Sequence, residues 1–181
     1  MASSENEQQR ERLYEVAREM RLMSTFEALL SHAAAEQVGM HPTDIETIDL
    51  LNVLGPMTAG QLSQLTGLSS GATTRLIDRV ESAGLVRRRP DEHDRRRVII
   101  EPVYERLTQV GEAFGPMAAS LSRLWARFSD AELAVILRFL RESNAVLISE
   151  NARMRGEVID ESFMGRIEVN PGHRMPMPPS L

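Results

Sequence analysis

Apolar residues recur at three- and four-residue intervals over much of this chain, which is the spacing of one face of an α-helix. The first such stripe runs from about Glu7 to about Gln37, before Gly39 and Pro42 interrupt the pattern. It predicts one long N-terminal helix with an apolar face. The apolar members of the stripe are Leu13, Ala17, Met20, Met23, Phe26, Leu30 and Ala33.

Two further stripes lie in the C-terminal half. One runs from Leu107 to Phe128 and contains Gly115-Pro116, so we expect a kinked helix, since proline lacks an amide and crowds the preceding turn. The other predicts a final helix from Ser129 to about Asn151. With the first helix they present more apolar surface than a small core needs. A helical homodimer would use that surface, and a monomeric three-helix packing is the alternative.

Capping boxes predict where three helices begin. Thr43, Thr58 and Ser129 are each followed three residues later by Glu or Gln. In this arrangement the hydroxyl and the second side chain satisfy backbone amides that the first helical turn leaves unpaired.

Residues 58–83 predict a pair of short helices joined at Gly67, with Ser69 capping the second. Five apolar side chains would face inward, namely Leu62, Leu65, Leu68, Leu76 and Val80. The outer face of the second helix would carry Ser70, Gly71, Thr73, Thr74, Arg75 and Arg79. Short side chains, hydrogen-bond donors and free amides at a helix start suit the DNA major groove. A purely structural helix pair would show the same turn glycine.

The next fourteen residues, 84–97, read GLVRRRPDEHDRRR and predict a basic hairpin. We expect one strand at Leu85 to Arg89, a turn at Pro90 to Asp94 and a return strand at Arg97 to Glu101. Six arginines and three acidic residues give this stretch a charge of +3, although the whole chain carries −5. The local charge indicates a polyanionic partner.

Composition narrows the class of protein. The chain has 181 residues, 42% of them hydrophobic and 26% charged, which is ordinary for a globular protein. There is no cysteine, which excludes disulfides, thiolate metal sites and cysteine redox switches. We expect a cytoplasmic protein, neither secreted nor membrane-spanning, because the sequence contains no signal-like start and no long apolar run.

No catalytic or cofactor chemistry can be placed on this sequence. The four histidines lack metal-ligand spacing, and no phosphate loop, nucleophile elbow or carboxylate pair falls on a suitable element. We therefore expect no enzyme, no metal and no cofactor. Two readings remain open: a DNA-binding regulator, and an antirepressor-like interaction module that has the same fold but does not bind DNA.

The helix pair at residues 58–83, the GLVRR stretch at 84–88 and the DEHDRRR stretch at 91–97 together resemble the MarR (multiple antibiotic resistance regulator) family of winged helix-turn-helix proteins. The resemblance implies a mainly α fold with a small β-wing. It divides the chain into an N-terminal dimerisation helix (1–40), a winged helix-turn-helix lobe (41–102), C-terminal dimerisation helices (103–151) and an extension (152–181). The family's architecture does not cover the extension, and the Glu101-Pro102 exit from the wing departs from the usual pattern.

The same resemblance implies roles for individual residues. Double-stranded DNA would be bound by a homodimer, with Ser69 at the start of each recognition helix. Asp94 and Arg96 match the family's wing Asp-x-Arg, in which the arginine reaches the minor groove, while Arg95 and Arg97 become phosphate contacts. The other wing candidates are Arg88, Arg89 and His93. A small aromatic or amphipathic effector would relieve repression from a pocket lined by Met23, Phe26, His41, Leu51 and Trp125.

Overall fold

The computed structural model describes residues 2–111 and 114–156. They form two compact units, one up to residue 42 and the other from residue 43 onward. The helices are α1 (Ala2–Val38), α2 (Pro42–Leu54), α3 (Ala59–Thr66), α4 (Ser70–Ser82), α5 (Tyr104–Gly111), α6 (Gly115–Trp125) and α7 (Asp130–Arg155). The strands are β1 (Met57–Thr58), β2 (Val86–Pro90) and β3 (Val98–Pro102).

The first unit consists mainly of α1, so the predicted N-terminal helix is confirmed. The helix ends at Val38, and the next residue, Gly39, has a φ of +67°, in the left-handed region that glycine tolerates best. Ala34 and Ala35 are buried, but most large apolar side chains of the stripe are exposed, Leu13 and Phe26 each to 63%. The apolar face of α1 is therefore open along much of its length in the single chain.

The second unit begins with a lobe built from α2, α3, α4 and a three-stranded antiparallel sheet of order β1-β3-β2. Arg88 on β2 and Met57 on β1 both pair with Ile100 on the central strand. The predicted hairpin is confirmed with each strand shifted by one residue. The sequence did not indicate β1, because a two-residue strand has no periodicity to detect.

The core of this lobe is formed by side chains from every one of its elements. Its fully buried members are Leu51, Met57, Leu62, Leu76, Ile77, Val80, Val86 and Ile100. Leu65 and Leu68, which were expected to face inward, are half-buried. This core holds α3 and α4 against the sheet from which the wing extends.

Two expectations about helix boundaries were wrong. The helix α2 begins at Pro42, so Thr43 lies inside the first turn instead of capping it. Proline is favoured at the first helical position, because the amide of that residue has no partner within the helix. The expected kinked helix is two helices, since α5 ends at Gly111 and α6 begins at Gly115. Pro102 does not disturb the wing exit: it ends β3 opposite Val86, and α5 starts two residues later.

The last helix, α7, begins at a complete capping box formed by Ser129 and Glu132, as the sequence predicts, and extends to Arg155. Much of its apolar surface is exposed, including Leu137 at 47% and Leu147 at 61%. None of the described helices is long and apolar enough to cross a membrane. Most of the C-terminal extension expected at residues 152–181 lies outside the described residues.

Candidate nucleic-acid interface

The turn between α3 and α4 is fixed by hydrogen bonds at both of its ends. Thr58 caps α3: its Oγ1 accepts the Gln61 N–H at 3.2 Å, and Gln61 Oε1 accepts the Thr58 N–H at 2.9 Å. The helix ends at Gly67, with φ +69°. Ser63 Oγ then donates to the carbonyl of Leu68 at 2.7 Å and holds the chain beyond the turn. The start of α4 is therefore set by local geometry.

The last turn of α7 lies against the same helix-helix turn. Arg155 Nη1 lies 3.5 Å from the carbonyl oxygen of Gln64. Its guanidinium occupies the space where a Cβ on Gly67 would stand, within 1.7 Å of that position. A side chain at position 67 would thus have to displace Arg155 as well as adopt a left-handed backbone.

The first two turns of α4 present a polar surface to solvent. Ser69 caps the helix by accepting the Ala72 N–H at 3.3 Å, and Ser70, Gly71, Thr74 and Arg75 are exposed. Within residues 2–111 and 114–156, the Arg75 side chain makes no hydrogen bond or ion pair. This surface has the donors and free amides expected of a recognition helix.

The prediction that Thr73 belongs to this outer face is wrong. Its exposed fraction is 2%, and its Oγ1 donates to the Ser69 carbonyl at 3.1 Å. Position 73 lies three and four residues before Leu76 and Ile77, so it shares their buried side of the helix. A threonine can be buried in this way because its hydroxyl is satisfied by its own helix.

Arg79 lies on the last turn of α4 and is held by the first turn of α2. Its Nε and Nη2 donate to the two carboxylate oxygens of Asp44 at 3.0 and 2.5 Å. The Asp44 side chain is only 7% exposed, whereas that of Arg79 is 53% exposed. Hydrogen bonding to Asp44 raises the pKa of Arg79, which stays charged.

Two aspartates shape the loop between β2 and β3. Asp91 Oδ1 accepts the His93 N–H at 2.9 Å, and Asp94 Oδ1 accepts the Arg96 N–H at 3.0 Å. The Asp94 carbonyl also accepts the Arg97 N–H at 2.9 Å. The hydrogen bond from His93 lowers the pKa of Asp91, which is thus an ordered, ionised acceptor at neutral pH. Their carboxylates fold the loop back on itself, as short aspartate side chains do in turns.

Three arginines on β2, which we call the wing root (Arg87, Arg88 and Arg89), are paired with acids. Glu101, on the facing strand, lies 2.9 Å from Arg87 and 3.4 Å from Arg89. Glu92 lies 3.6 Å from Arg89. The positive charge of the wing root is therefore largely compensated inside the protein.

Arg88 also ties the wing to the recognition helix. Its Nη2 lies 2.5 Å from Asp78 Oδ1, and its Nη1 and backbone N–H both donate to Glu81. Because Asp78 and Glu81 are three residues apart on α4, one guanidinium can bridge both carboxylates.

The wing tip, which we define as residues 93–97, carries the uncompensated charge of the hairpin. His93, Arg95 and Arg96 are exposed, and no ion pair involves either arginine in the described part of the chain. Arg97 is held only loosely, with its Nε 3.9 Å from Asp91. The six arginines of the hairpin thus divide into a neutralised root and a charged tip.

Sequence reasoning missed the acids that neutralise the root. Glu101 was detectable, because the hairpin places it directly opposite Arg87. Asp78 and Glu81 lie on one side of α4, but their contact with β2 depends on how the hairpin packs on the lobe. No local signal connects Asp44 with Arg79, which are 35 positions apart.

The five proposed pocket residues lie in both units of the structure. In the first unit, Met23, Phe26 and His41 are exposed. In the second, Leu51 is fully buried in the lobe core and Trp125 is 48% exposed. An effector pocket stays a prediction. Among the described residues, no group of three or more His, Asp or Glu side chains could hold a metal ion.

Comparisons with known proteins agree with this geometry. A sequence model described as "MarR family" matches residues 38–97, which include α2, the helix pair, β2 and the wing loop. The uncharacterized HTH-type transcriptional regulator YcgE of Bacillus subtilis strain 168 is 38% identical over 135 residues, covering 75% of this chain and 88% of the relative. The regulator YsmB of the same organism, also described as uncharacterized, is 34% identical over 106 residues, covering 58% and 71%.

Among solved structures, a MarR family protein from Bacillus stearothermophilus is 28% identical. The match has a TM-score of 0.53 and covers 73% of this chain and 94% of the other. A MarR protein from Peptoclostridium difficile superposes with a TM-score of 0.55 at 16% identity, covering 77% and 91%, and at that identity it shows the fold alone.

Proposed function

This chain belongs to the MarR family of transcriptional regulators, and from that premise we propose that it is a cytoplasmic, homodimeric repressor of transcription. It binds a pseudo-palindromic operator in double-stranded DNA and releases it when a small aromatic or amphipathic effector binds. The observation that carries the proposal is the uncompensated positive charge on two neighbouring elements of the lobe, at Arg75 on the exposed face of α4 and at Arg95 and Arg96 in the wing tip.

The exposed side of α4 enters the major groove. Ser69 and Ser70 offer hydroxyl groups and helix-start amides to phosphates, and Arg75 reads a base edge. Thr74, whose hydroxyl donates to the Ser70 carbonyl at 2.9 Å, lies beside them on the exposed face. Gly71 supports this arrangement. A Cβ there would meet Arg75 at 3.9 Å, an ordinary contact, so packing within the lobe does not require glycine. Because glycine disfavours a helix, close approach of a DNA backbone is a physical reason for its presence.

The wing follows the phosphate backbone beside that groove. Arg96 reaches into the minor groove, and Arg95 and Arg97 contact phosphates. His93, which is exposed on the same loop, is a further candidate contact. Arg88 and Arg89 contribute less to DNA binding than their charge implies, since both already face carboxylates.

A homodimer accounts for the exposed apolar side chains on α1 and α7. Side chains such as Phe26 and Leu147 are more than half exposed in the single chain, and burying such surface against a second copy is favourable. Two copies related by a two-fold axis would read half-sites about one helical turn (~10 bp) apart. The exposed apolar surface therefore supports a homodimer, and the two-fold symmetry of a homodimer predicts a symmetric operator.

Effector binding would act by changing the spacing of the two recognition helices. A ligand shifts an equilibrium only by binding one state more tightly than the other. An amphipathic effector would need an apolar, partly aromatic pocket with few polar groups.

The proposal is tested by selecting duplexes of about 30 base pairs, long enough for two half-sites, from a random pool with the purified full chain. Fluorescence anisotropy then compares the selected duplex with a scrambled one across a salt series. We expect a two-fold symmetric motif, tighter binding of the selected duplex and a steep loss of affinity with salt. Equal affinity for both duplexes would contradict sequence reading, and no binding to either would favour the interaction module. Sedimentation equilibrium should give a dimer.

A further inference from the structure

Asp44 and Arg79 link two helices that have different tasks. Asp44 lies in the first turn of α2, which contributes to the lobe core, and Arg79 lies in the last turn of α4, whose first turns carry the exposed polar face. The two parallel hydrogen bonds, at 3.0 and 2.5 Å, form a planar fork. Such a fork fixes the orientation of both groups as well as their distance.

The two partners differ sharply in exposure. Asp44 is a buried carboxylate, with 7% of its side chain exposed, so its charge depends on the guanidinium for compensation. Arg79 keeps 53% of its side chain in solvent, but two of its donors already point back into the lobe. A guanidinium held in this way is poorly placed to follow a DNA phosphate.

The pair stands at the end of α4 that the DNA-reading residues do not occupy. Arg75 is four residues, or about one helical turn, before Arg79. The Ser69 cap holds the beginning of α4, while Asp44 and Arg88 hold its last turns. A change in the tilt of the helix at Arg79 would therefore move Arg75 relative to the groove.

We propose that Arg79 is a positioning residue, which sets the orientation of the recognition helix through Asp44 and does not itself contact DNA. The inference rests on the proposed DNA-binding function and replaces the sequence-based expectation that Arg79 is a contact. It makes Asp44, a residue remote in sequence, a determinant of DNA discrimination.

Asp44→Asn separates the two roles of Arg79. The substitution keeps the size of the side chain and the charge of Arg79, but it exchanges one carboxylate acceptor for an amide donor facing the guanidinium. If Arg79 positions α4, we expect a roughly tenfold fall in the affinity ratio of selected to scrambled duplex, within the range of coupled side chains. If Arg79 contacts phosphate, its release should leave DNA affinity unchanged or raise it.

Arg79→Met and Arg79→Lys complete the test. Arg79→Met keeps the apolar stem without charge, and Arg79→Lys keeps the charge without the fork. Each should lower the affinity ratio of selected to scrambled duplex as Asp44→Asn does, with an unchanged salt slope. The double variant, Asp44→Asn with Arg79→Met, should lower that ratio no further than the more affected single variant does. Glu46→Gln, which removes an exposed carboxylate from the same helix, is the matched control and should leave the ratio unchanged.

Circular dichroism and urea unfolding establish whether each variant is folded at the assay temperature. If Arg79→Met is not folded, the comparison uses Arg79→Lys and Asp44→Asn. A lower salt slope in Arg79→Met with no effect of Asp44→Asn would overturn the inference in favour of a direct phosphate contact. Reduced stability with an unchanged ratio in the folded variants would overturn it in favour of a purely structural pair. A wild-type chain that does not discriminate between the duplexes would contradict the proposed function itself, and this inference with it.

Discussion

The division of the hairpin arginines into a neutralised root and a charged tip predicts that equal charge losses have unequal effects on DNA binding. Arg95→Ala and Arg87→Ala each remove one exposed arginine from the same hairpin. Arg87 already faces Glu101 at 2.9 Å, whereas Arg95 has no ion-pair partner among residues 2–111 and 114–156. We expect Arg95→Ala to weaken DNA binding and Arg87→Ala to change it little.

The expected size of the effect follows from counterion release. Each phosphate contact contributes about 0.9 to the slope of log K against log salt, so the loss of one contact in each of two protomers lowers the slope by about 1.8. Extrapolated from about 1 M to about 0.15 M salt, that change corresponds to a roughly 30-fold loss of affinity, or about 2 kcal/mol. For Arg87→Ala the slope should change by much less than the roughly 0.9 per protomer that the loss of one phosphate contact would cause.

The assay is fluorescence anisotropy on the selected duplex at several salt concentrations, with sedimentation to confirm that each variant has the wild-type oligomeric state. Fitting the slope separates a lost phosphate contact from a general loss of folding, because only the former is salt-dependent. A slope reduced equally by both substitutions would refute the reasoning, since it would mean that Glu101 does not keep Arg87 from the DNA.

Three further outcomes are expected. Arg75→Ala should lower the discrimination between the selected duplex and its single-base variants by about 1 to 3 kcal/mol; an equal loss on all sequences would mean that Arg75 contacts only the backbone. Gly67→Ala and Gly84→Ala place a side chain at φ +69° and +73°, so each should reduce the free energy of unfolding in urea by about 1 to 2 kcal/mol. Only the alanine at position 67 must displace the guanidinium of Arg155, which is the far end of a flexible side chain. If Gly67→Ala lowers the free energy of unfolding by over about 1 kcal/mol more than Gly84→Ala does, Arg155 is rigidly held. Backbone hydrogen bonds lower the pKa of Asp91, so the order of the wing loop should persist at neutral pH and be lost as the pH falls through that lowered value. Carboxyl NMR titration checks this, and a pKa at or above the ordinary aspartate value would contradict it.

The parts of the fold that depend on neighbouring residues could be predicted from sequence. Thr58, Ser69 and Ser129 begin helices where their hydroxyl groups indicate, because a cap is satisfied within three residues. The hairpin was located to within one residue by its β-branched return strand and its proline-led turn. These signals are local, and local geometry is sufficient to realise them.

The parts that depend on packing could not be predicted in the same way. Thr73 was assigned to the surface because it is polar, whereas its helical position decides its burial. The kink expected at Pro116 is a separation into two helices, since proline in a first turn starts a helix as readily as it bends one. The partner of Arg79 depends on how α2 packs against α4, which no pattern along the chain encodes.

Glu101 has a further consequence for how regulators with this wing can diverge. One carboxylate faces both Arg87 and Arg89, so a single change such as Glu101→Gln would free Arg87 and leave Arg89 with Glu92 alone, without adding a basic residue. Affinity for DNA can therefore evolve through the loss or gain of acids on the return strand, while the arginines stay in place. Ranking related wings by their number of arginines would mislead, and the informative comparison is of each arginine with the residue across the hairpin from it.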